Sequence, residues 1–218
     1  MAIFSQGILS GFNGRIGNVI GSTWKGRSVM KIRPASVSNP NTERQQQQRA
    51  RFGLVGRFIQ AHRNLIRIGF RAYTKDMTSS NAAMSYNLAN AIDGSYPDQY
   101  IDFSKVMLSM GSLATVSELS VVSEAAAAVT LTWTPNNQVG NAGDSDQLIV
   151  SLYDSDSGEV VYFPGCASRL DSTATLTLPA EWSGRTAEVF AFLVSIVITS
   201  TDSESVSKTL YAGSVEIM

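Results

Sequence analysis

The stretch AAAAVTLTWTP, residues 125–135, has the pattern of a strand with one buried face. Val129, Leu131 and Trp133 alternate with threonines, so one side of the strand is apolar and the other polar. Further short segments of β character follow it, separated by turn sequences: DQLIVSLYD, EVVYF, STATLTLP, TAEVFAFLVSIVIT and SKTLYAGSVEI. About six short strands with a tryptophan in the second or third of them predict an antiparallel β-sandwich of immunoglobulin or fibronectin-like type.

The region before the sandwich has helical periodicity. Apolar or packing residues recur there at steps of three and four: Phe52, Val55, Ile59, His62, Ile66, Gly69 and Tyr73. This seam predicts a long helix from about Glu43 to Lys75, with a break near Gly69. Thr42 and Gln45 fit a capping box at its start. The segment TSSNAAMSYNLANAI predicts a second helix, and YIDFSKVMLSMGSL after it has the pattern of a strand.

The first residues predict a β-hairpin. The segments RIGNVIGSTW and RSVMKIRP flank a Lys25-Gly26 turn, where glycine supplies the positive φ of a tight hairpin. In the second segment Ser28, Met30 and Ile32 alternate with Arg27, Val29, Lys31 and Arg33, so one face is more apolar and the other is charged. The fold class expected is α+β, with a basic hairpin-helix region at 1–112 followed by the β-sandwich at 113–218.

The charge is divided between the two parts of the chain. Residues 1–75 contain 13 Lys or Arg and one acid, Glu43, whereas residues 76–218 contain 4 basic and 17 acidic residues. Such a division favours either a polyanionic partner for the first part or assembly in which basic and acidic surfaces of different copies meet. The candidate contact residues are Arg15, Lys25, Arg27, Lys31, Arg33, Arg44, Arg49, Arg57, Arg63, Arg67 and Arg71. Assembly is favoured over nucleic acid, because Trp24 is the one aromatic residue interleaved with these cations that could stack on a base.

No motif of catalysis or cofactor binding is expected to operate. His62, the single histidine, lies on the helical seam and is interpreted as a packing residue, and the single cysteine, Cys166, as a small buried apolar group. DSDSGE, residues 154–159, departs from a calcium loop at its fifth position and fits a hairpin turn. VFAFLVSIVI is too short to span a bilayer, and no signal peptide is visible, so the sequence predicts a soluble protein that is not exported by a standard signal.

Three motifs resemble those of a family of uncharacterised proteins. The first is a glycine-rich hairpin with Gly14, Gly17, Gly21 and Trp24. The others are a helix start with Asn39, Pro40, Thr42, Gln45, Arg49 and Phe52, and a late strand with Ser207, Tyr211 and Gly213. The family it resembles occurs in Bacteroidota, their phages and prophages, and is catalogued as a domain of unknown function. The resemblance implies no catalytic residues and suggests a virion or virion-like setting, so the expected location is a virion or the bacterial cytoplasm.

Three functions therefore remain. The leading hypothesis is a non-enzymatic structural protein, a multi-copy subunit of a tailed-phage virion or phage-like particle, with other structural subunits as partners. The alternative is a protein that binds nucleic acid without sequence preference through its basic half. A surface adhesion module, based on the sandwich, is the third. No cofactor, metal or membrane partner is expected.

Overall fold

The computed structural model of the chain describes residues 2–4, 12–75, 77–137, 139–195 and 205–218. Contacts between residues divide it into unit 1, Met1–Glu43, and unit 2, Arg44–Met218. The predicted hairpin falls in unit 1. The helices and the sandwich fall together in unit 2, so the contacts do not separate at residue 112.

Unit 1 is a four-stranded antiparallel sheet with the strand order β1-β4-β3-β2. Its strands are β1 (Ala2–Phe4), β2 (Gly14–Ile16), β3 (Val19–Trp24) and β4 (Arg27–Ile32). The predicted hairpin is confirmed as β3 and β4, joined by Lys25 and Gly26 with φ of 46° and 76°. Positive φ at both positions is the geometry of a type I′ turn, which matches the twist of the flanking strands. Gly21 is required in β3, because a side chain there would collide with Phe12.

Unit 2 begins with three helices. These are α1 (Glu43–Ala61), α2 (Arg63–Gly69) and α3 (Ser79–Asn90). The helix start after Thr42 agrees with the sequence, but the predicted single helix is interrupted at His62, whose ψ of 16° departs from helical geometry. Thr78 caps α3 by accepting a hydrogen bond from Asn81 N–H.

The middle of the predicted seam is buried and its ends are not. Val55, Ile59 and Ile66 have exposed fractions of 4% or less, whereas Phe52 is 53% and Tyr73 42% exposed. The prediction of a strand after α3 is wrong for most of its length, because only β6 (Tyr100–Ile101) forms there, paired with β5 (Ile92–Asp93). Asp102 then accepts a hydrogen bond from Ser104 N–H and turns the backbone into a 3₁₀ turn.

Seven further strands form the sandwich. They are β7 (Ser117–Ala125), β8 (Ala128–Thr134), β9 (Gln147–Asp154), β10 (Val160–Ser168), β11 (Thr173–Thr177), β12 (Thr186–Val194) and β13 (Leu210–Glu216). One antiparallel sheet has the order β10-β9-β12-β13 and the other β11-β8-β7. Trp133 lies in the second strand of the sandwich, and the α+β prediction with a fibronectin-like sandwich is confirmed.

Three layers make up unit 2. Val129, Leu131 and Trp133 face alternate residues of β9 and β12 in the core between the two sheets. The other side of the sheet β10-β9-β12-β13 packs on the helices, where the Phe58 ring lies 5.1 Å from Tyr153 and 6.0 Å from Phe190. The helices therefore form one outer layer of unit 2 and the three-stranded sheet the other. Among the described residues, no helix is long and apolar enough to cross a membrane.

Candidate interaction surfaces

The outer side of α1 and α2 is strongly basic. Residues 44–75 contain eight Lys or Arg and no acid. Seven of these cations are exposed, and we call them the helix surface: Arg44, Arg49, Arg57, Arg63, Arg67, Arg71 and Lys75. Arg71 Nη2 also donates to Ser205 Oγ at 2.7 Å. The eighth, Arg51, is half-buried and donates to Leu88 O at 3.0 Å, so it ties α1 to α3.

The opposite outer layer of unit 2 has a different chemistry. The outward side of β7, β8 and β11, here the hydroxyl face, is made chiefly of small polar residues: Glu118, Ser120, Thr130, Thr132, Thr134, Thr173, Thr175 and Thr177. Hydroxyl hydrogen bonds join neighbouring strands, from Ser120 to Thr132 at 2.7 Å and from Thr130 to Thr175 at 3.1 Å. These three strands contain no Lys or Arg.

Exposed acids lie on and beside the hydroxyl face. Glu118 and Glu124 are on β7, while Asp171 and Glu181 precede and follow β11. The Glu118 carboxylate accepts a hydrogen bond from the Thr134 hydroxyl at 2.7 Å. Unit 2 thus presents a cationic layer on its helix side and an acidic, hydroxyl-rich layer on its other side.

In unit 1 the strand register places the charged side chains on one side of the sheet, together with Ile20 and Val29. Directly paired residues of antiparallel strands point to the same side of a sheet. The pairs Arg15 with Ile20, Ile20 with Lys31, and Trp24 with Arg27 therefore place three cations and a tryptophan on one side, the cationic face. Arg33 extends this face, because its N–H donates to Asn18 O at 2.8 Å and continues the pairing. Lys25 lies in the turn.

The opposite side of the same sheet is apolar. Ile16, Val19, Met30 and Ile32 lie there by the same register, with Ile16 61% and Ile32 75% exposed. The predicted contact residues consequently form two groups, one on the unit 1 sheet and turn and one on the helix surface. The role of these residues in contacts remains a prediction, as does the capping box of Thr42 and Gln45.

A groove of about 780 Å³ lies between α1 and the hairpin of β9 and β10. Phe52, Gly53 and Arg57 line one wall, and Tyr153 and Asp156 belong to the other. The groove is open at Gly53, where an added Cβ would meet no atom within 4 Å. Phe52, the first residue of the helical seam, stays exposed because it borders this open groove.

His62 and Cys166 are held in structural positions. The His62 ring packs 4.2 Å from Phe58, and its Nδ1 lies 2.9 Å from Phe58 O. Its Nε2 is buried and has no hydrogen-bond partner among the residues that the structure describes. Burial lowers its pKa from 6.5 to about 4. Cys166 Sγ donates to Leu148 O at 3.4 Å, and burial raises the pKa of this thiol to about 11.

Two buried polar side chains that the sequence did not indicate hold distant segments of the fold together. Arg169 is fully buried, and its guanidinium donates to the Asp146 carboxylate at 2.8 Å, to Asn136 Oδ1 at 2.7 Å and to Ala114 O at 2.7 Å. The buried Asn87 amide donates to Met107 O at 3.0 Å and accepts from Met107 N–H at 2.9 Å. No local pattern marks either group, because the partners are distant in sequence.

The turn 154–159 is a hairpin turn held by its own side chains. The Asp154 carboxylate accepts from Asp156 N–H at 2.9 Å and from the Ser157 hydroxyl at 2.7 Å, and it pairs with Arg185 at 3.2 Å. In the part of the chain that the structure describes, no group of three or more His, Cys, Asp or Glu side chains could hold a metal ion.

Comparison with known proteins finds a family and similar solved structures. The model of a family of unknown function, DUF6266, matches residues 11–213. The fibronectin type III domain of human collagen alpha-1(XX) chain is similar at 18% identity, over 49% of this chain and 87% of that domain, with a TM-score of 0.32. None of the curated proteins matches.

Proposed function

The chain belongs to the DUF6266 family of unknown function, and from its surfaces we propose that it is a non-enzymatic structural protein that assembles in multiple copies. In this assembly the helix surface of one copy contacts the hydroxyl face of the next. The contact is heterologous, since two different surfaces of the same chain meet, so repetition produces a ring or a filament.

One observation carries the proposal: the two outer layers of unit 2 are opposite in charge. The helix surface has seven exposed cations within residues 44–75, where no acid occurs. The hydroxyl face and its border have four exposed acids, and its strands have no basic residue. Because these layers lie on opposite sides of unit 2, they cannot neutralise each other within one copy. They can do so between copies.

The shape and chemistry of the two surfaces suit such a contact. Long arginine side chains can reach carboxylates and the hydroxyls of small side chains on a flat sheet, and arginine is enriched at protein interfaces. Attraction of this kind mainly fixes orientation and speeds association. It is also screened by salt within about 10 Å at 0.1 M.

Properties of the single histidine and the single cysteine support a non-enzymatic role. His62 is buried and packed among aromatic rings, and the raised pKa of Cys166 keeps its thiol protonated near neutral pH. We further propose a tailed-phage virion or phage-like particle as the setting, which is what the sequence resemblance suggests.

Sedimentation velocity across protein concentration and salt tests the assembly. We expect species larger than a monomer at about 50 mM salt that dissociate as salt rises towards about 0.5 M, because the interface is electrostatic. A chain that stays monomeric at every concentration in low salt would refute self-assembly of the isolated protein.

Charge-reversed variants identify the two surfaces. Arg63→Glu/Arg67→Glu changes the helix surface, and Glu118→Lys/Glu124→Lys changes the hydroxyl face. Each variant alone should associate much less than the native chain. A mixture of the two should associate again, because reversed surfaces then meet with opposite charge. Asp98→Lys/Asp144→Lys makes the same change in net charge at two exposed positions that belong to neither surface and serves as control. If the control dissociates the assembly equally, net charge and not this interface is responsible.

A further inference from the structure

The cationic face of unit 1 carries cations around two apolar residues, Ile20 between Arg15 and Lys31 and the buried Val29 between Arg27 and Lys31. Arg15 and Lys31 lie in one row across β2, β3 and β4, roughly 10 Å apart given a strand spacing of about 4.8 Å. Arg33 and Arg27 lie on either side of Lys31 along the same strand direction, so the patch extends over roughly 20 Å. Unit 1 contains five Lys or Arg and one acid, Glu43, so its net charge is positive.

Trp24 gives this patch a second chemistry. Its indole lies on the same face as the cations, directly opposite Arg27, and is 47% exposed. The other two tryptophans, Trp133 and Trp182, are 5% and 2% exposed. An exposed indole beside cations on a sheet is suited to a ligand with both phosphates and flat aromatic groups, because the cations attract the phosphates and the ring stacks on a base.

We propose that the cationic face binds single-stranded nucleic acid, with Trp24 stacking on a base and Arg15, Arg27, Lys31 and Arg33 contacting phosphates. A single strand is favoured over a duplex because its bases are free to stack. An acidic protein surface would use the cations but leave the indole without a specific role. The site uses none of the residues of the interface proposed for unit 2.

Fluorescence titration tests the site directly. Oligothymidylate of 20 nucleotides, added to the full chain at about 50 mM salt, should quench the exposed Trp24 while the buried tryptophans stay unaffected. Trp24→Ala should weaken binding about 5- to 150-fold, as expected for the loss of one stacked base. Trp24→Ala lacks the fluorescent reporter, so its affinity is measured from the fluorescence anisotropy of a labelled oligonucleotide. Trp24→Phe keeps a stacking ring and should retain most of the affinity.

Charge-reversed variants separate this site from the helix surface. Lys31→Glu/Arg33→Glu should weaken binding and lower the slope of log K against log salt by about 1.4, for two lost phosphate contacts. Arg63→Glu/Arg67→Glu makes the same charge change on unit 2. It should reduce assembly but leave the quenching of Trp24 unchanged. Circular dichroism of each variant checks that the fold is retained.

Several results would overturn the proposal. Absence of binding at low salt would do so, as would binding that is unchanged in both Trp24→Ala and Lys31→Glu/Arg33→Glu. Equal affinity for a 20-base-pair duplex would show that stacking on a single strand is not the basis of recognition. Equal binding of polyglutamate would assign the cationic face to an acidic protein partner. Loss of quenching in Arg63→Glu/Arg67→Glu would place the site on the helix surface.

Discussion

Protonation of His62 in acid should destabilise unit 2. The side chain is 1% exposed and packs against the rings of Phe58 and Phe190 at 4.2 and 6.1 Å. A shift of its pKa from 6.5 to about 4 corresponds to about 3.4 kcal/mol, at 1.36 kcal/mol per unit. The unfolded chain binds the proton more readily than the folded chain. The contribution to stability is therefore complete above about pH 6.5 and is lost as the pH falls to about 4.

The measurement is urea unfolding at several pH values between 7 and 4, followed by the fluorescence of Trp133 and Trp182. His62→Leu removes the titrating group and keeps an apolar side chain of similar size. The free energy of unfolding of the native chain, minus that of His62→Leu, should fall by about 3 kcal/mol over this range. Carboxylates also titrate towards pH 4, but their effect is common to both proteins and cancels in the difference.

A difference that stays constant with pH would refute this reasoning, because it would mean that His62 titrates alike in the folded and unfolded chains. Arg63→Leu is the matched control. Arg63 is adjacent and exposed, and its guanidinium does not titrate in this range, so its curve should run parallel to that of the native chain.

Three further predictions concern buried groups. Arg169→Met should lower the free energy of unfolding by about 3 to 5 kcal/mol in urea titrations, because the Asp146 carboxylate would remain buried without its cation. Lys105→Met, at an exposed ion pair, should lower the free energy of unfolding far less, and equal losses would contradict the assignment of Arg169 to a buried ion pair. Gly69→Ala should lower the thermal midpoint through a loss of about 1 to 3 kcal/mol, because its methyl group would collide with the backbone of residues 108 and 109; an unchanged midpoint would contradict this. Cys166 should react with iodoacetamide at pH 7.5 far more slowly than in 6 M urea, and equal rates would show that the thiol is accessible.

The sandwich was predictable because its signal is local. Alternation of Val129, Leu131 and Trp133 with threonines specifies which side of the strand is buried, whatever the partner strand is. The Lys25-Gly26 turn is local in the same way, since few sequences adopt positive φ at two successive positions. Such features need only neighbouring residues to be interpreted.

Other features depend on distant parts of the chain. Phe52 continues the helical seam by spacing, but its burial depends on what covers it, and it borders an open groove. Arg169 meets Asp146 across 23 positions, through the pairing of β9 and β10. Within YIDF, residues 100–103, the strand predicted from the sequence ends after Ile101. It ends there because the Asp102 side chain accepts a hydrogen bond from Ser104 N–H and holds the backbone in a tight turn.

The two proposed surfaces also differed in how far the sequence identified them. Composition identified the cations, and the register of β3 and β4 then placed Arg27, Lys31 and Trp24 on one face of a sheet. In the sequence Trp24 is a single aromatic residue among many charges. Its placement beside Arg27 on the cationic face is what makes it a candidate for stacking on a base. The hydroxyl face could not be recognised beforehand, because it requires the pairing of β11 with β8 and of β8 with β7.

Salt alone does not separate assembly from nucleic-acid binding, because both depend on exposed arginines and weaken as ionic strength rises. The placement of the residues does separate them. The proposed assembly uses the two outer layers of unit 2, and the proposed nucleic-acid binding uses one face of the unit 1 sheet. If the sites are independent, saturating oligothymidylate should leave the association constant of the protein unchanged. If oligothymidylate dissociates the protein assembly, the helix surface must bind nucleic acid too. The phosphates of the oligonucleotide then compete with Glu118 and Glu124 of the neighbouring copy.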